Sequence, residues 1–458
     1  MSTSFHLIIT QLVSIVTVVL TVVLIAQVVV QHRAPGTTLA WLLAIILIPY
    51  IGVPLYLVFG SHKLRRRGGK SQLYAPGPVT AERGTIAGVL CASGAPPPRS
   101  GNEVVAHATG EQAYAAVIEV LEAAARTIEV STLILGNDPV GHAILAVLER
   151  KAHAGVEVRL LLDSLYRYRI SRRRLARLVA AGGQMAWFMP VWHVPFLSRV
   201  RANLRLHRKI IVTDGTTAII GGMNLAQEYM GPTPSPRRWR DLSARVRGPA
   251  VADIAAVFAA DWAFAARAEV TPLPARPAEA GSATIQVVGS GPDVRDDLLY
   301  DAFLSAVFEA RERIWIATPY FVPDSALIRG LVLATRRGVD VRVVVPARSN
   351  HITADYAGAS YLRELAAAGG RICCYQPGML HAKSVLVDRA FTVIGSANLD
   401  MRSLFLNYEI ALFLSSPAEI ATSAAWFEAL WPSCGELRPA TRLRLLVESV
   451  ARLIGPLE

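Results

Sequence analysis

His207, Lys209, Asp214 and Asn224 recur, with the same internal spacing, as His381, Lys383, Asp388 and Asn398. Each set reads His-x-Lys, four residues, Asp, six residues, then Gly-Gly or Gly-Ser, one residue and Asn. A lone His-x-Lys would say little. Two copies with one spacing, at matching places in the chain, point to a single piece of chemistry. On a strand, residues i and i+2 face the same way, so His and Lys of each copy project together and the Asn beyond the next turn can join them. Two histidines, two lysines and two asparagines around one volume suit a phosphodiester. One neutral imidazole attacks phosphorus and forms a phosphohistidine. The other, protonated, gives its proton to the leaving alkoxide. Lys209, Lys383, the amides of Asn224 and Asn398 and the hydroxyl of Ser396 stabilise charge on the non-bridging oxygens. This scheme requires no metal and no cofactor, and the sequence shows no carboxylate cluster to hold a metal.

Each imidazole needs an orienting carboxylate. Asp241 opens the strand-like LSARV after the first motif, and Glu409 opens IALFL after the second; both are candidates. Asp214 and Asp388 complete the motif and stand with the catalytic set, although their spacing suits fixing the fold behind the site.

The elements that position these residues repeat as well. ARTIEVSTLIL, a helical stretch and AGVEVRLLLD in the first half are answered by RERIWIATPYFVPD, a helical stretch and RGVDVRVVVP in the second. In each half a helix ending in Gly-Gly (Gly182-Gly183, Gly369-Gly370) precedes the His-x-Lys strand. Strand-length apolar runs alternating with helical patterns predict α/β halves with a mixed sheet covered by helices. The duplication predicts a pseudo-twofold pair with its site at the interface. The predicted boundaries are a two-helix hairpin over 1–62, a basic flexible linker over 63–108, a first half over 109–270 and a second over 283–458. TPLPARPAEAGS (271–282) links the halves.

Hydrophobic residues make up 52% of the 458 and the net charge is +12, which favours anionic partners. Leu7 to Val30 and Thr37 to Gly60 carry no charge, and each exceeds the roughly 20 residues that span a bilayer. Arg33 is the fixed cation between them, whereas Lys63, Arg65, Arg66, Arg67 and Lys70 follow the second. The positive-inside rule then places the rest of the chain in the cytoplasm. Four cysteines without a CxxC pair are read as reduced thiols.

The duplicated motif resembles the phospholipase D superfamily. HRKIIVTDGTTAIIGGMNLAQEYMG (207–231), TPYFVPD (318–324), NLDMRSLFLNYE (398–409) and the hairpin pattern are similar to bacterial cardiolipin synthases. The resemblance covers nearly the whole chain. It implies two phospholipase D-like α-β-α sandwich halves behind a transmembrane hairpin, in the inner membrane of a bacterium. It implies transfer of a phosphatidyl group between two phosphatidylglycerol molecules, with release of glycerol. It also implies His207 as nucleophile and His381 as acid, a division that the residues alone leave open. Leu206 and Asn350 stand where the resemblance would place Asn and Asp, which bears on the choice of acceptor. Expected partners are phosphatidylglycerol and other anionic membrane lipid, not nucleic acid; oligomeric state is open. The alternative is a hydrolase of lipid or nucleic acid with water as acceptor. Two intact motifs speak against a non-catalytic scaffold.

WFMPVWHVPFL (187–197) reads either as core beneath the site or as an apolar lip facing the membrane. Arg199, Arg201, Arg205 and Arg172-Arg173-Arg174 are candidates for headgroup contacts or a solvated face. The C-terminal TRLRLLVESVARLI is amphipathic and is predicted to pack on the second half. His153, His193 and His351 lack the motif context.

Overall fold

The computed structural model describes residues 3–30, 35–59, 72–74, 84–189, 204–270 and 275–454. They form two compact units, one helical and one α/β. In the helical unit, Thr3–Val30 is followed by Pro35–Leu47 and Pro49–Phe59. Leu24, Val28, Ile45, Val53 and Tyr56 make its small core. A Cβ on Gly52 would come within 2.1 Å of the Ala44 carbonyl oxygen, so only Gly fits this turn. The second predicted span is thus two short helices that meet at Ile48 and Pro49, where proline removes an amide donor. Among the described residues no helix is long and apolar enough to cross a membrane. Much of the side-chain composition of the first predicted span lies outside the described residues.

The α/β unit is organised by the duplication. Its first half holds β1 (Arg99–His107), β2 (Thr127–Thr132), β3 (Glu157–Asp163), β4 (Gln184–Phe188), β5 (Ile210–Thr213), β6 (Thr217–Gly221) and β7 (Ser243–Arg247). The second holds β8 (Ala283–Ser290), β9 (Arg313–Ala317), β10 (Phe321–Val322), β11 (Asp340–Pro346), β12 (Arg371–Tyr375), β13 (Ser384–Val387), β14 (Phe391–Gly395), β15 (Leu399–Asp400), β16 (Glu409–Leu414) and β17 (Cys434–Gly435). One sheet runs β17-β12-β11-β9-β13-β14-β16-β8-β1-β7-β6-β5-β2-β3-β4, and β10 pairs with β15 beside it. Read outward from the β8–β1 seam, the orders β1-β7-β6-β5-β2-β3-β4 and β8-β16-β14-β13-β9-β11-β12 correspond strand for strand. The predicted pseudo-twofold pair is therefore present. One core packs one face of the sheet, across both halves, against helices Ala250–Ala266 and Pro417–Leu430. Each half has its own core on the opposite face.

The linker predicted over 63–108 needs correction. Residues 60–71 and 75–83 lie outside the described ones. The Tyr74 hydroxyl oxygen accepts from the amide of Gly289, on β8 at the seam, at 2.7 Å. The helix Ile86–Ala92 is capped by Thr85, and β1 pairs with both β7 and β8. The first half thus begins at β1, whose flanking Pro and Gly residues masked a central strand. Reduced thiols throughout are also corrected. β12 and β17 run antiparallel, and Cys373 and Cys434, with Cα atoms 5.1 Å apart, form a disulfide. Cys91 and Cys374 are free and buried.

Candidate active site

The segments that lead into the motif strands meet between the two halves, and backbone contacts there set the geometry. Leu206 bridges Tyr408 and Leu380 bridges Arg240. The His207 amide donates to the Tyr408 carbonyl at 2.9 Å, and the His381 amide to the Arg240 carbonyl at 2.7 Å. Each bridge sets a histidine beside the carboxylate of the other half. His207 Nδ1 lies 2.9 Å from Glu409 Oε2, and His381 Nδ1 lies 2.6 Å from Asp241 Oδ2. The two carboxylates predicted to orient the histidines lie against them, and the pairing is crossed between the halves. With Nδ1 held by the carboxylate, Nε2 is left for chemistry.

Both histidines line one cavity of about 610 Å³, together with Asn224, Asn398, Tyr229, Trp239, Tyr320 and Asn407. Asn398 donates to Asp400 at 3.0 Å, and the Ile134 amide donates to Asn224 at 3.3 Å. Ser396 supports Glu409 from behind, donating its hydroxyl at 2.5 Å. At its counterpart Gly222 a Cβ would meet the Asp241 carboxylate at 2.3 Å, which excludes a side chain there. Lys209 and Lys383 lie beneath the histidines: each ammonium donates to the carbonyl of the His two residues earlier. Lys383 Nζ also lies 2.6 Å from His381 Nδ1.

The two dyads differ electrostatically. Burial outweighs Glu409 and pulls His207 down to about 4. Burial, reinforced by Lys383 and Lys209, holds His381 well below the ordinary histidine value. Burial opposes the ionisation of Glu409, but His207, Lys209 and Ser396 outweigh it and its carboxyl is lowered. Asp241 is instead raised by burial to about 7. Burial lowers Lys209 to about 7 and Lys383 to about 8. Near neutral pH the Asp241–His381–Lys383 cluster shares protons as one coupled unit, whereas His207 is an unprotonated ring on an ionised carboxylate.

Asp214 and Asp388 are not among the residues lining the cavity, in keeping with a place behind the site. Each sits at positive φ, 53° and 49°. Asp214 accepts the amides of Ala125, Arg126 and Thr127, and Asp388 those of Arg311, Glu312 and Arg313. They tie the motif hairpin to the start of the neighbouring strand. Phe188 is fully buried, edge-on to Tyr408 at 4.9 Å, and is core. Trp187 is half-buried; Trp192, His193, Phe196, Arg199 and Arg201 lie outside the described residues. Arg172 and Arg173 are exposed at the start of the helix Arg172–Ala180. His153 is exposed at the end of another helix.

His351 lines the cavity, as do Arg205 and Arg402, whose roles the motif spacing did not reveal. Arg208, the variable residue of the first His-x-Lys, is fully buried across the seam. It donates to Asp261 at 2.6 Å, to Asp293 at 3.3 Å and to the Glu409 carbonyl at 3.0 Å. Its counterpart is Ala382.

Paired imidazoles on carboxylates, contributed by equivalent halves to one cavity, define a phosphodiester-cleaving or phosphodiester-transferring centre. The family described as "Cardiolipin synthase, PLD-like domain" matches residues 117–262 and 303–431. "Phospholipase D-nuclease N-terminal" matches 16–61. A curated "Cardiolipin synthase A" of Pseudomonas syringae pv. syringae is 36% identical over 451 residues, spanning 93% of each chain. The "Cardiolipin synthase" of Geobacillus thermodenitrificans is 34% identical, covering 86% of this chain and 82% of the relative. A crystal structure of phosphatidylserine synthase from Haemophilus influenzae shares the fold, with a TM-score of 0.60 at 14% identity. That match covers 77% of this chain and 93% of the other. The chain belongs to the bacterial cardiolipin synthases of the phospholipase D superfamily.

Proposed function

We infer that the chain joins two phosphatidylglycerol molecules to give cardiolipin and glycerol. The observation that carries this reading is one cavity with two crossed His–carboxylate dyads, in a chain that aligns with cardiolipin synthases over most of its length. Nε2 of His207 attacks the donor phosphorus; the P–N bond forms and the bond to the glycerol oxygen breaks. The proton for the departing alkoxide comes from the Asp241–His381–Lys383 cluster. The hydroxyl of a second phosphatidylglycerol then returns a proton to that cluster as its oxygen attacks phosphorus. The P–N bond breaks and His207 is restored. The contrast between a lowered Glu409 and a raised Asp241 supports this division of labour. Purified enzyme with labelled phosphatidylglycerol should yield cardiolipin and glycerol in equal amounts. Phosphatidic acid as the main product would establish the hydrolase instead.

We also propose that the enzyme sits at the bacterial inner membrane, anchored by a hairpin and with its catalytic unit on the cytoplasmic side. The match to the N-terminal family, the uncharged Leu7 to Val30 run and the cations that follow the second apolar run support this. A further support is the helix Arg442–Ile454, whose polar face is the one that packs. Glu448 accepts from Arg363 at 2.7 Å and from Arg444 at 2.8 Å. Leu443, Leu446 and Val450 point outward, 73%, 62% and 51% exposed. An apolar stripe turned away from its own domain suits a lipid surface. Reporter fusions at both ends of the hairpin test the topology; a periplasmic catalytic unit would refute it.

A further inference from the structure

The repeat makes the cavity nearly symmetric in shape and leaves it unequal in charge. Aligning His207 with His381 sets Arg205 opposite Met379, and aligning Asn224 with Asn398 sets Glu228 opposite Arg402. Arg205 and Arg402 both line the cavity. They are also close enough that the charge of Arg205 helps to lower the pKa of Arg402, after burial and against the pull of Asp400. Their counterparts bring a thioether and a carboxylate. Glu228 is itself taken up by Arg169 at 2.7 Å.

Arg205 is built into the wall. Its guanidinium donates to Asp163 at 3.1 Å, and Asp163 accepts the amides of Leu206 and Leu165 at 2.8 Å each. Arg205 and Asp163 are both almost wholly buried. Arg402 is half-buried, on the short helix Met401–Phe405 that follows Asn398. Two guanidiniums in a partly desolvated cavity repel each other, and an anion between them removes that cost. On the transferase reading the transferred phosphate takes its place between His207 and His381, which both line the cavity. Cardiolipin carries a second phosphate, one glycerol away, and that group needs a place of its own.

We propose that Arg205 and Arg402 form a second anion subsite that takes the phosphate of the acceptor lipid. This rests on the transferase reading. In the second step the acceptor arrives with its phosphodiester on the two arginines and its free hydroxyl at the phosphohistidine. Glycerol and water have no phosphate to place there. The subsite thus favours lipid alcohol over the small alcohols present in excess.

The test compares two acceptors for the same phosphatidyl-enzyme. Wild type and Arg402→Gln, full length and in phosphatidylglycerol vesicles, are assayed for cardiolipin formation and for exchange of labelled glycerol into phosphatidylglycerol. Arg402→Gln should lower cardiolipin formation by at least about tenfold, the value of a lost charge-assisted contact. Exchange, which needs no second phosphate, should fall by less than about threefold. Arg402→Lys should recover part of the cardiolipin activity and none of the exchange deficit. Equal loss of both reactions would place the arginines on the transferred phosphate and overturn the proposal; so would no loss in either. Should Arg402→Gln fail to fold, Arg402→Lys decides: it must lower the ratio of cardiolipin to exchange, and an unchanged ratio overturns the proposal. Wild type that exchanges glycerol but forms no cardiolipin would refute the reading as a cardiolipin-forming transferase, and this subsite with it.

Discussion

His207 takes its orienting carboxylate, Glu409, from 202 residues further along the chain, with Nδ1 2.9 Å from Oε2. Asp241 and His381 make the converse contact. Each half therefore carries a histidine that it does not itself orient. The bridges Leu206–Tyr408 and Leu380–Arg240 enforce this, because each fixes the residue before a histidine against the residue before the opposite carboxylate.

Crossing makes a prediction about coupling. His207→Ala and His381→Ala should each abolish nearly all turnover. Glu409→Gln should cost roughly 10²- to 10⁴-fold in kcat, as loss of an orienting carboxylate does elsewhere. Added to His207→Ala, Glu409→Gln should cost almost nothing more, since the two act as a unit. In a double-mutant cycle on residual activity, additive losses would refute the dyad.

The pH dependence follows from the sign of each shift. His207 must be unprotonated to attack, and its value of about 4 keeps it so down to acid pH. Activity should fall only as pH drops toward 4. Lys209 and Lys383, lowered to about 7 and 8, lose their charge as pH rises through that range. The kcat/KM profile should therefore descend on the alkaline side between about 7 and 8, where ordinary lysines stay charged. A flat profile from pH 6 to 9 would show that the lysine charges play no part.

Arg208 is a clamp between halves, and its loss should register as stability. Arg208→Ala installs the residue of the second motif but leaves Asp261 and Asp293 buried without their cation. Truncating one member of a buried ion pair costs about 3–5 kcal/mol. Denaturant titration should show that loss; less than about 1 kcal/mol would mean that the carboxylates find other partners.

The motif and its carboxylates were legible because strand periodicity and spacing state which side chains share a face. Their crossed pairing was not, because it is set by the bridges Leu206–Tyr408 and Leu380–Arg240, between residues far apart in sequence. β1 was hidden by the Pro and Gly around NEVV and by a burial pattern that does not alternate cleanly along its nine residues. Asp214 and Asp388 share the motif spacing with the reacting groups, and spacing alone cannot tell a backbone anchor from a catalytic carboxylate. Arg205 and Arg402 carry no motif. Arg205 was legible only as one basic residue among several, and Arg402 not at all, until the two halves are overlaid and the charges fail to match.

Asp214→Ala and Asp388→Ala should behave as fold variants. Each removes acceptors for three backbone amides and places Ala at positive φ. A loss of about 1–3 kcal/mol is expected, with the enzyme that remains folded turning over at close to the wild-type rate. A loss of kcat at unchanged melting temperature would return these residues to the catalytic set.

The last prediction concerns the outward-turned helix Arg442–Ile454. Its buried Glu448, held by Arg363 and Arg444, fixes which face points away from the domain. That leaves Leu443, Leu446 and Val450 exposed on one side, spaced as one helical stripe. Replacing all three with Ser removes side chains that are mostly exposed and lie outside the hydrophobic core. It should therefore leave the melting temperature and the turnover of a short-chain soluble phosphatidylglycerol close to wild type. On bilayers the loss should be large, because burying three such side chains in the interface contributes several kcal/mol at about 25 cal/mol per Å². Equal activity on both substrates would show that this stripe does not meet the membrane. A lower melting temperature with equal loss on both would show that it packs within the protein instead.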